Sequence, residues 1–314
     1  MREEWAAAFS ERARAYWTPA RTAELSAGKS LAILPAAAPE LLRALGILHR
    51  DGTMPPPQRR KFFQVNHMVA MLGPALRELS STRETIRIVD AACGGSYLTL
   101  LLAWTLAHGH GRKVEVLGVD RNDALVAESA RRTEIAGLGA LVRHHACGLD
   151  TLDVATVWRR AFETDAEPAI DAVIALHACD TATDDALELG VRLGAHLLAV
   201  APCCQAELAR KWERLVDGPG GDASPLAPIH RPPHLRRETA ALVTDAMRQW
   251  LLQAAGYQTW ALEFVPTEHT RKNLLLRAVR RGEPVPQART EYERLREATG
   301  GEGIALADRL ASTP

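Results

Sequence analysis

The sequence predicts an α/β protein built on a seven-stranded, Rossmann-like sheet, mostly parallel, with an antiparallel terminal hairpin and an N-terminal helical extension. Three observations carry this expectation. Apolar strand-like runs alternate with segments of helical period between residues 86 and 201. Each of the five runs ends in small or polar residues. Two further strand-like runs, 257–265 and 273–279, then follow a long helix with only a short polar connection between them. Alternation implies parallel strands with right-handed crossovers, whereas strands joined directly must pair antiparallel.

Composition bounds the answer. A chain of 314 residues, 47% hydrophobic and 24% charged, suffices for one large globular domain plus an appended one. No run approaches the roughly 20 apolar residues of a membrane span, so no membrane partner is expected. The start, Met1-Arg2-Glu3-Glu4-Trp5, is charged where a signal peptide is apolar, which makes the cytoplasm the expected compartment. Five cysteines without regular spacing fit reduced thiols better than a disulfide framework. Lys plus Arg and Asp plus Glu both number 38, so basic character must be sought in local patches.

In order along the chain, residues 1–80 read as a helical region, 81–282 as the sheet domain and 283–314 as a C-terminal helix and tail. Helical spacing covers 3–17 and 39–48, with Gly46 and Asp51-Gly52 as stops. Pro55-Pro56-Pro57 interrupts any helix, and an amphipathic helix is expected from Lys61 to Leu72 with Phe62, Val65, Met68 (or Val69) and Leu72 on its apolar face. Strands are expected at 86–90, 113–119, 141–146, 171–176 and 195–201, separated by helices over 98–108, 123–136, 152–162 and 183–193. A Gly- and Pro-rich loop at 218–233 precedes a helix at 237–255; beyond 281 one helix, 289–298, and a frayed tail are expected. Five parallel strands closed by an antiparallel pair match the class I S-adenosylmethionine methyltransferase sheet better than a dinucleotide dehydrogenase. The absent G-x-G-x-x-G fingerprint agrees.

Open α/β sheets bind ligands beyond the carboxyl ends of their strands. The first end reads Asp90-Ala91-Ala92-Cys93-Gly94-Gly95-Ser96-Tyr97, a small-residue turn through which backbone can approach a ligand. The second ends in Asp120-Arg121, the third in Cys147-Gly148, the fourth in His177-Ala178-Cys179-Asp180 and the fifth in Cys203-Cys204-Gln205. All five cysteines thus fall on one expected rim. Asp120 is placed to accept hydrogen bonds from vicinal ribose hydroxyls; the competing reading is an N-cap for the next helix. Asp90 is placed near a cofactor ammonium, against a simple strand-end turn acid. Cys93 and Cys147 read as small apolar packing around an adenine. Zinc is not expected, because Cys203 and Cys204 are adjacent, their side chains diverge in a strand, and no C-x-x-C pair exists. The polar cluster His177, Asp180, Thr183 and Asp184 exceeds what one helix cap requires, although His177 also reads as a core histidine.

At these residues the chain resembles a known family. D-A-A-C-G-G-S-Y-L-T, L-H-A-C-D-T-A-T-D-D-A-L, A-P-C-C-Q and E-H-T-R-K-N-L-L-L are similar to the blocks of a methyltransferase-domain family of bacterial proteins and eukaryotic methyltransferase-like proteins. K-F-F-Q-V-N-H resembles the K-x-R-Q-I-N helix ahead of the cofactor domain in bacterial members. The later blocks are also similar to tRNA ribose 2′-O-methyltransferases of the acceptor stem, which carry H-x-C-G-x-A-T-D and C-C-H. The resemblance spans about residues 60–280 and implies S-adenosylmethionine as cofactor. The cofactor side then comprises Gln64, Asn66, Asp90, Ala92, Cys93, Gly94, Gly95, Tyr97, Asp120, Arg121, Cys147, Gly148 and His177. His177, Asp180, Cys203, Cys204 and Gln205 form the catalytic side. Two departures stand out: Ala92 and Ser96 replace glycines of the family's turn, and Asp180 and Gln205 replace the glycine and histidine of the tRNA enzymes, so the tRNA substrate does not carry over.

The expected activity is methyl transfer from S-adenosylmethionine to an acceptor oriented or deprotonated by His177 or Asp180. RNA is the expected acceptor, from the basic groups Arg59-Arg60-Lys61, Arg231 to Arg237 and Arg271-Lys272, although such runs also serve as solvated faces. A protein or small-molecule methyltransferase and a non-catalytic S-adenosylmethionine-binding module are the alternatives.

Overall fold

Helix boundaries follow local chemistry closely. In the computed structural model, which describes residues 3–176, 178–218, 225–263 and 274–312, the chain forms two compact units, 1–168 and 169–314. The first opens with α1 (Glu3–Tyr16), α2 (Pro19–Ser26), α3 (Pro39–Ala44) and α4 (Pro56–Thr82). Thr18 caps α2, its hydroxyl accepting from the Arg21 N–H; this short helix, with only Leu25 buried, lacked a readable apolar stripe. The proline run does not separate α4 from what precedes it but starts it, with Pro56 and Pro57 in the first turn where a missing N–H costs nothing. The helix then runs 27 residues, through Pro74, burying Phe62, Val65, Val69, Leu72, Leu76 and Leu79.

Within the same unit come β1 (Thr85–Ala91), α5 (Tyr97–Trp104) extended by a π-turn (Thr105–Gly109), β2 (Lys113–Asp120), α6 (Asp123–Ile135), β3 (Val142–Ala146) and α7 (Val154–Phe162). β1 and β3 flank β2 in parallel, with Asp90 opposite Gly118 and Asp120 opposite Ala146. The strands are apolar because helices cover both faces: Ile86, Ile88, Val89, Val116 and Leu117 are all buried. α3 packs on α5 and α6, and α4 on α5, so the N-terminal helices are part of this unit rather than a separate body.

The second unit contains β4 (Ala172–Ala175), α8 (Thr181–Arg192), β5 (Leu197–Val200), α9 (Glu207–Asp217), α10 (Ala227–His230), α11 (Pro233–Ala254), β6 (Tyr257–Glu263), β7 (Leu274–Arg280), α12 (Ala288–Ala298) and α13 (Ala305–Ser312). β4 and β5 pair in parallel; β7 runs antiparallel to both β5 and β6. The whole is a seven-stranded sheet of order β3-β2-β1-β4-β5-β7-β6. This is the class I methyltransferase arrangement, with the one reversed strand inserted between the fifth and sixth.

The expected frayed tail is instead α13, packed on α8. Ile304 and Leu306 are buried, the Ala305 N–H donates to Glu207 at 3.1 Å, Lys211 donates to the Gly303 carbonyl at 2.8 Å and Arg309 pairs with Asp185 at 2.7 Å. Three residues of spacer after Gly300 and Gly301 let a weakly hydrophobic segment reach back.

Inside this unit lies a buried guanidinium. Arg248 on α11, 1% exposed, donates to Asp184 on α8 at 2.7 Å, to Asp245 at 3.0 Å and to the Asp180 carbonyl at 3.0 Å. Gln205, in the loop after β5, donates to the other Asp245 oxygen at 2.7 Å. A buried charge survives only when its donors are met, and these partners meet them.

Close helix–sheet packing at α8 requires Gly190: a Cβ there would run into Leu198 Cδ2 and stand 3.3 Å from Val173 Cβ. Gly190→Ala is therefore expected to destabilise the protein by about 1–3 kcal/mol through overpacking, despite alanine's better helix propensity. Urea denaturation measures it; a neutral or stabilising effect would contradict this packing.

Candidate functional site

The turn after β1 is built from residues in left-handed conformation at alternate positions: Ala92 at φ 57°, Gly94 at φ 50° and Ser96 at φ 56°. Ala92 and Ser96 thus occupy a conformation that glycine takes freely and L-residues take at a cost of about 1 kcal/mol. The turn holds because its groups are tied down. Cys93 N–H donates to the Val119 carbonyl at 2.9 Å, Gly94 N–H to Asp120 Oδ2 at 2.9 Å and Ser96 N–H to the Cys93 carbonyl at 2.8 Å. These three N–H groups are used internally rather than offered to a ligand. Ser129 donates to the Gly94 carbonyl at 2.7 Å and Arg132 to the Gly95 carbonyl at 2.8 Å; a Cβ on Gly95 would meet Arg132 Nη1 at 2.6 Å and push that guanidinium aside.

Asp120 is not the cap of α6. Asn122 fills that role, accepting from the Ala124 and Leu125 N–H groups. The half-buried Asp120 carboxylate accepts one N–H on each oxygen, Gly94 on Oδ2 and Asn122 on Oδ1 at 2.9 Å, which aims it and leaves each oxygen a second lone pair. Asp90 is fully buried; Thr99 Oγ1 donates to its Oδ2, and Oδ1 has no protein partner. Burial lifts its carboxyl to about 7, against the Thr99 hydroxyl and with help from the Asp120 charge. Thr99 escaped sequence reasoning, though it is the lone hydroxyl in the apolar run Leu98 to Trp104.

Other expected cofactor residues divide. Tyr97 receives the Lys61 ammonium both on its hydroxyl, at 3.0 Å, and over its ring, 4.1 Å from the centroid. Gln64 is half-buried and Arg121 exposed. Asn66 is a correction: it is 3% exposed, accepts from the Ile33 N–H at 2.9 Å and donates to the Ile33 and Phe62 carbonyls, so its amide is consumed in anchoring the segment before α3. Cys93 is buried and Cys147 half-buried, and burial raises both thiols. Gly148 accepts from Thr151 through its carbonyl. His144 adds an unforeseen member: burial holds it down at about 4, Nε2 meets Thr133 at 2.8 Å and Nδ1 is unpartnered.

In the second unit, His177 lies outside the described residues. Asp180 is corrected from acceptor base to structural cap: Oδ1 accepts from the Ala206 and Glu207 N–H groups at 2.9 Å, and Oδ2 pairs with Arg210 at 2.6 Å. Burial opposes ionisation, but Arg210 and the two N–H groups outweigh it and hold the carboxyl below its ordinary value. Gln205 is likewise buried and committed to Asp245. The cysteines overturn the spacing argument: Cys179 Sγ lies 2.7 Å from Cys203 Sγ, and the Cys204 sulfur joins them, all three within 4.8 Å. Two loops bring together what neither holds alone. Contact with Cys203 and then burial raise Cys179; burial and then Cys179 raise Cys204.

The state of Asp90 gives a measurable signature. The folded carboxyl keeps its proton up to about 7, whereas an unfolded one loses it near pH 3.9. Between those values the native state binds more protons, so stability is expected to fall as pH rises, by at most about 1.4 kcal/mol per pH unit. Asp90→Asn should flatten that slope in denaturation series from pH 4 to 8; an unchanged slope would mean that Asp90 is ionised throughout.

Residues 60–211 match a family model described as a methyltransferase domain. No curated protein matches the sequence significantly. Among solved structures, the chain is similar to a magnesium protoporphyrin IX methyltransferase from Synechocystis PCC 6803 with bound SAM, at 17% identity over 77% of this chain and 90% of that one, TM-score 0.39. It is also similar to a SAM dependent methyltransferase from Aquifex aeolicus, at 14% identity over 66% and 86%, TM-score 0.37. A third is the METTL16 MTase domain, at 14% identity over 79% of each chain, TM-score 0.39. Likenesses this distant assign no substrate. The similarity to a methyltransferase domain thus covers residues 60–211, which run from α4 through the five parallel strands into α9.

Proposed function

We propose that this chain is an S-adenosylmethionine-dependent methyltransferase whose acceptor is RNA. The cofactor of its methyltransferase domain is S-adenosylmethionine, and the observation that carries this is Asp120: a strand-end carboxylate aimed by two backbone N–H groups, with one lone pair left on each oxygen for vicinal ribose hydroxyls. Asp90 supports the same reading, since its Oδ1 is a buried acceptor without a partner, suited to a cationic group directly or through water. When bound, the sulfonium supplies both the methyl group and its leaving group. The chain's own part is to hold the ribose, match the positive charge and keep the acceptor's lone pair in line. Tyr97, clamped by Lys61, closes one side of the turn.

For the acceptor, the support is exposed arginine: Arg59 and Arg60 in the first turns of α4, Arg231 between α10 and α11, and Arg237 near the start of α11 with His234. Lys61 and Arg236 drop out of the expected patches. Lys61 donates to the Leu45 carbonyl and to Tyr97, and Arg236 is buried against Glu213. Arg271 and Lys272 lie outside the described residues. The narrower tie to acceptor-stem tRNA enzymes is not part of this reading, because Asp180 and Gln205, where this chain departs from them, hold structural bonds instead.

Calorimetry with S-adenosylmethionine tests the cofactor. Asp120→Ala removes two charge-assisted hydrogen bonds and should weaken binding by about 10²-fold or more; unchanged affinity would sink the assignment. Affinity should also rise with pH through about 7 and then level, with proton release visible as a buffer-dependent heat, because a cation drives Asp90 to ionise. Asp90→Asn should abolish both effects.

Binding of total cellular RNA should weaken steeply with salt, and Arg59→Glu with Arg60→Glu should lower the log–log slope by about 0.7 per lost phosphate contact. Absent or salt-independent binding would point to a protein or small-molecule acceptor.

A further inference from the structure

The loops that follow β4 and β5 bring three thiols to one point. Cys179 stands four residues beyond β4, and Cys203 and Cys204 three and four beyond β5. Their sulfurs lie within 4.8 Å of one another, with Cys179 exposed and the other two half-buried. Sulfurs bound at about 2.3 Å to a tetrahedral zinc stand about 3.8 Å apart, so small side-chain rotations turn this triangle into one face of a coordination tetrahedron. A disulfide would use two of the thiols and leave the third pressed against it with no role. A shared ion uses all three.

The backbone around each thiol is held independently of the sulfurs. Asp180 N–H donates to the Cys204 carbonyl at 3.0 Å, lacing the two loops directly. Asp180, next to Cys179, adopts φ 54°, ψ −119°, a conformation costly for a residue with a Cβ, and is kept there by its bonds to Ala206, Glu207 and Arg210 and by Arg248 on its carbonyl. Gln205, next to Cys204, is anchored to Asp245. Residues flanking the thiols on both loops are thus tied to a buried ionic network, the kind of outer support that orients metal ligands.

We propose that Cys179, Cys203 and Cys204 form a three-thiolate zinc site that clamps the β4 and β5 loops together. Each thiol yields its proton to solvent as it ligates, and exposure of Cys179 leaves the fourth position to water or to another donor. The proposal is independent of the methyltransferase reading, since it rests on the sulfur geometry and on the bonds that hold the two loops.

The test uses the full-length chain, reduced and stripped of metal with chelator, titrated first with Co²⁺ and then with Zn²⁺. Expected is one equivalent of Co²⁺ per chain with a strong sulfur-to-metal charge-transfer band, displaced by one equivalent of Zn²⁺. Cys179→Ser and Cys203→Ser should each weaken binding at least about tenfold and reduce the band by about one third, while Cys147→Ser leaves both unchanged. Cys179 is exposed, so its serine variant keeps the test informative if Cys203→Ser misfolds; circular dichroism verifies the fold of each. The proposal is overturned by absence of the band, by binding that survives both cluster substitutions, or by an intact mass two hydrogens light with no metal taken up.

Discussion

The second unit depends on one buried guanidinium. Removing Arg248 from water is costly, and that cost is offset only because α8 supplies Asp184, α11 itself supplies Asp245, and the loop after β4 supplies the Asp180 carbonyl. Those partners must therefore be where they are, and each positions something else. Asp245 holds Gln205 and with it the loop after β5, while Asp180 spends its carboxylate on the first N–H groups of α9 and on Arg210. A charge hidden between helices thereby specifies the shape of two strand-end loops, and the three thiols on those loops meet as a consequence.

The first unit reaches a similar end by backbone bonding. Alternate left-handed residues coil the turn after β1, and Asp120 and Arg132 pin it from the next strand and helix. Asp120 does two things at once: it accepts from the turn and presents unused lone pairs. The same bond that shapes the turn also orients the carboxylate. Ala92 and Ser96 show that small side chains suffice where the surroundings over-determine a left-handed backbone.

Asp90 and Asp120 illustrate how burial separates two carboxylates at neighbouring strand ends. Asp120 has backbone donors on both oxygens, whereas Asp90 has one hydroxyl and an empty lone-pair direction in an apolar surround. Only a positive partner makes ionised Asp90 comfortable. Affinity for a cationic ligand and local stability are then coupled through one proton.

Residue by residue, the sequence by itself determined what period and end chemistry determine. Buried strands such as those holding Val89 and Ala199 read as apolar runs, and two strand-like runs joined by a short polar stretch of sequence had to pair antiparallel; that order of elements leaves little freedom in the sheet. Asp120 at a strand end was likewise legible, because position along a strand implies position on the rim. What only tertiary structure decided was who satisfies whom. Asn66, Asp180 and Gln205 read as site residues but are consumed by partners 33, 26 and 40 residues away. α13 looked too weakly apolar to pack until Glu207 and Asp185 met it. The thiols looked badly spaced because spacing rules describe one segment, and these ligands come from two. Hydrogen-bond and sulfur geometry are properties of three-dimensional neighbours, which local periodicity does not encode.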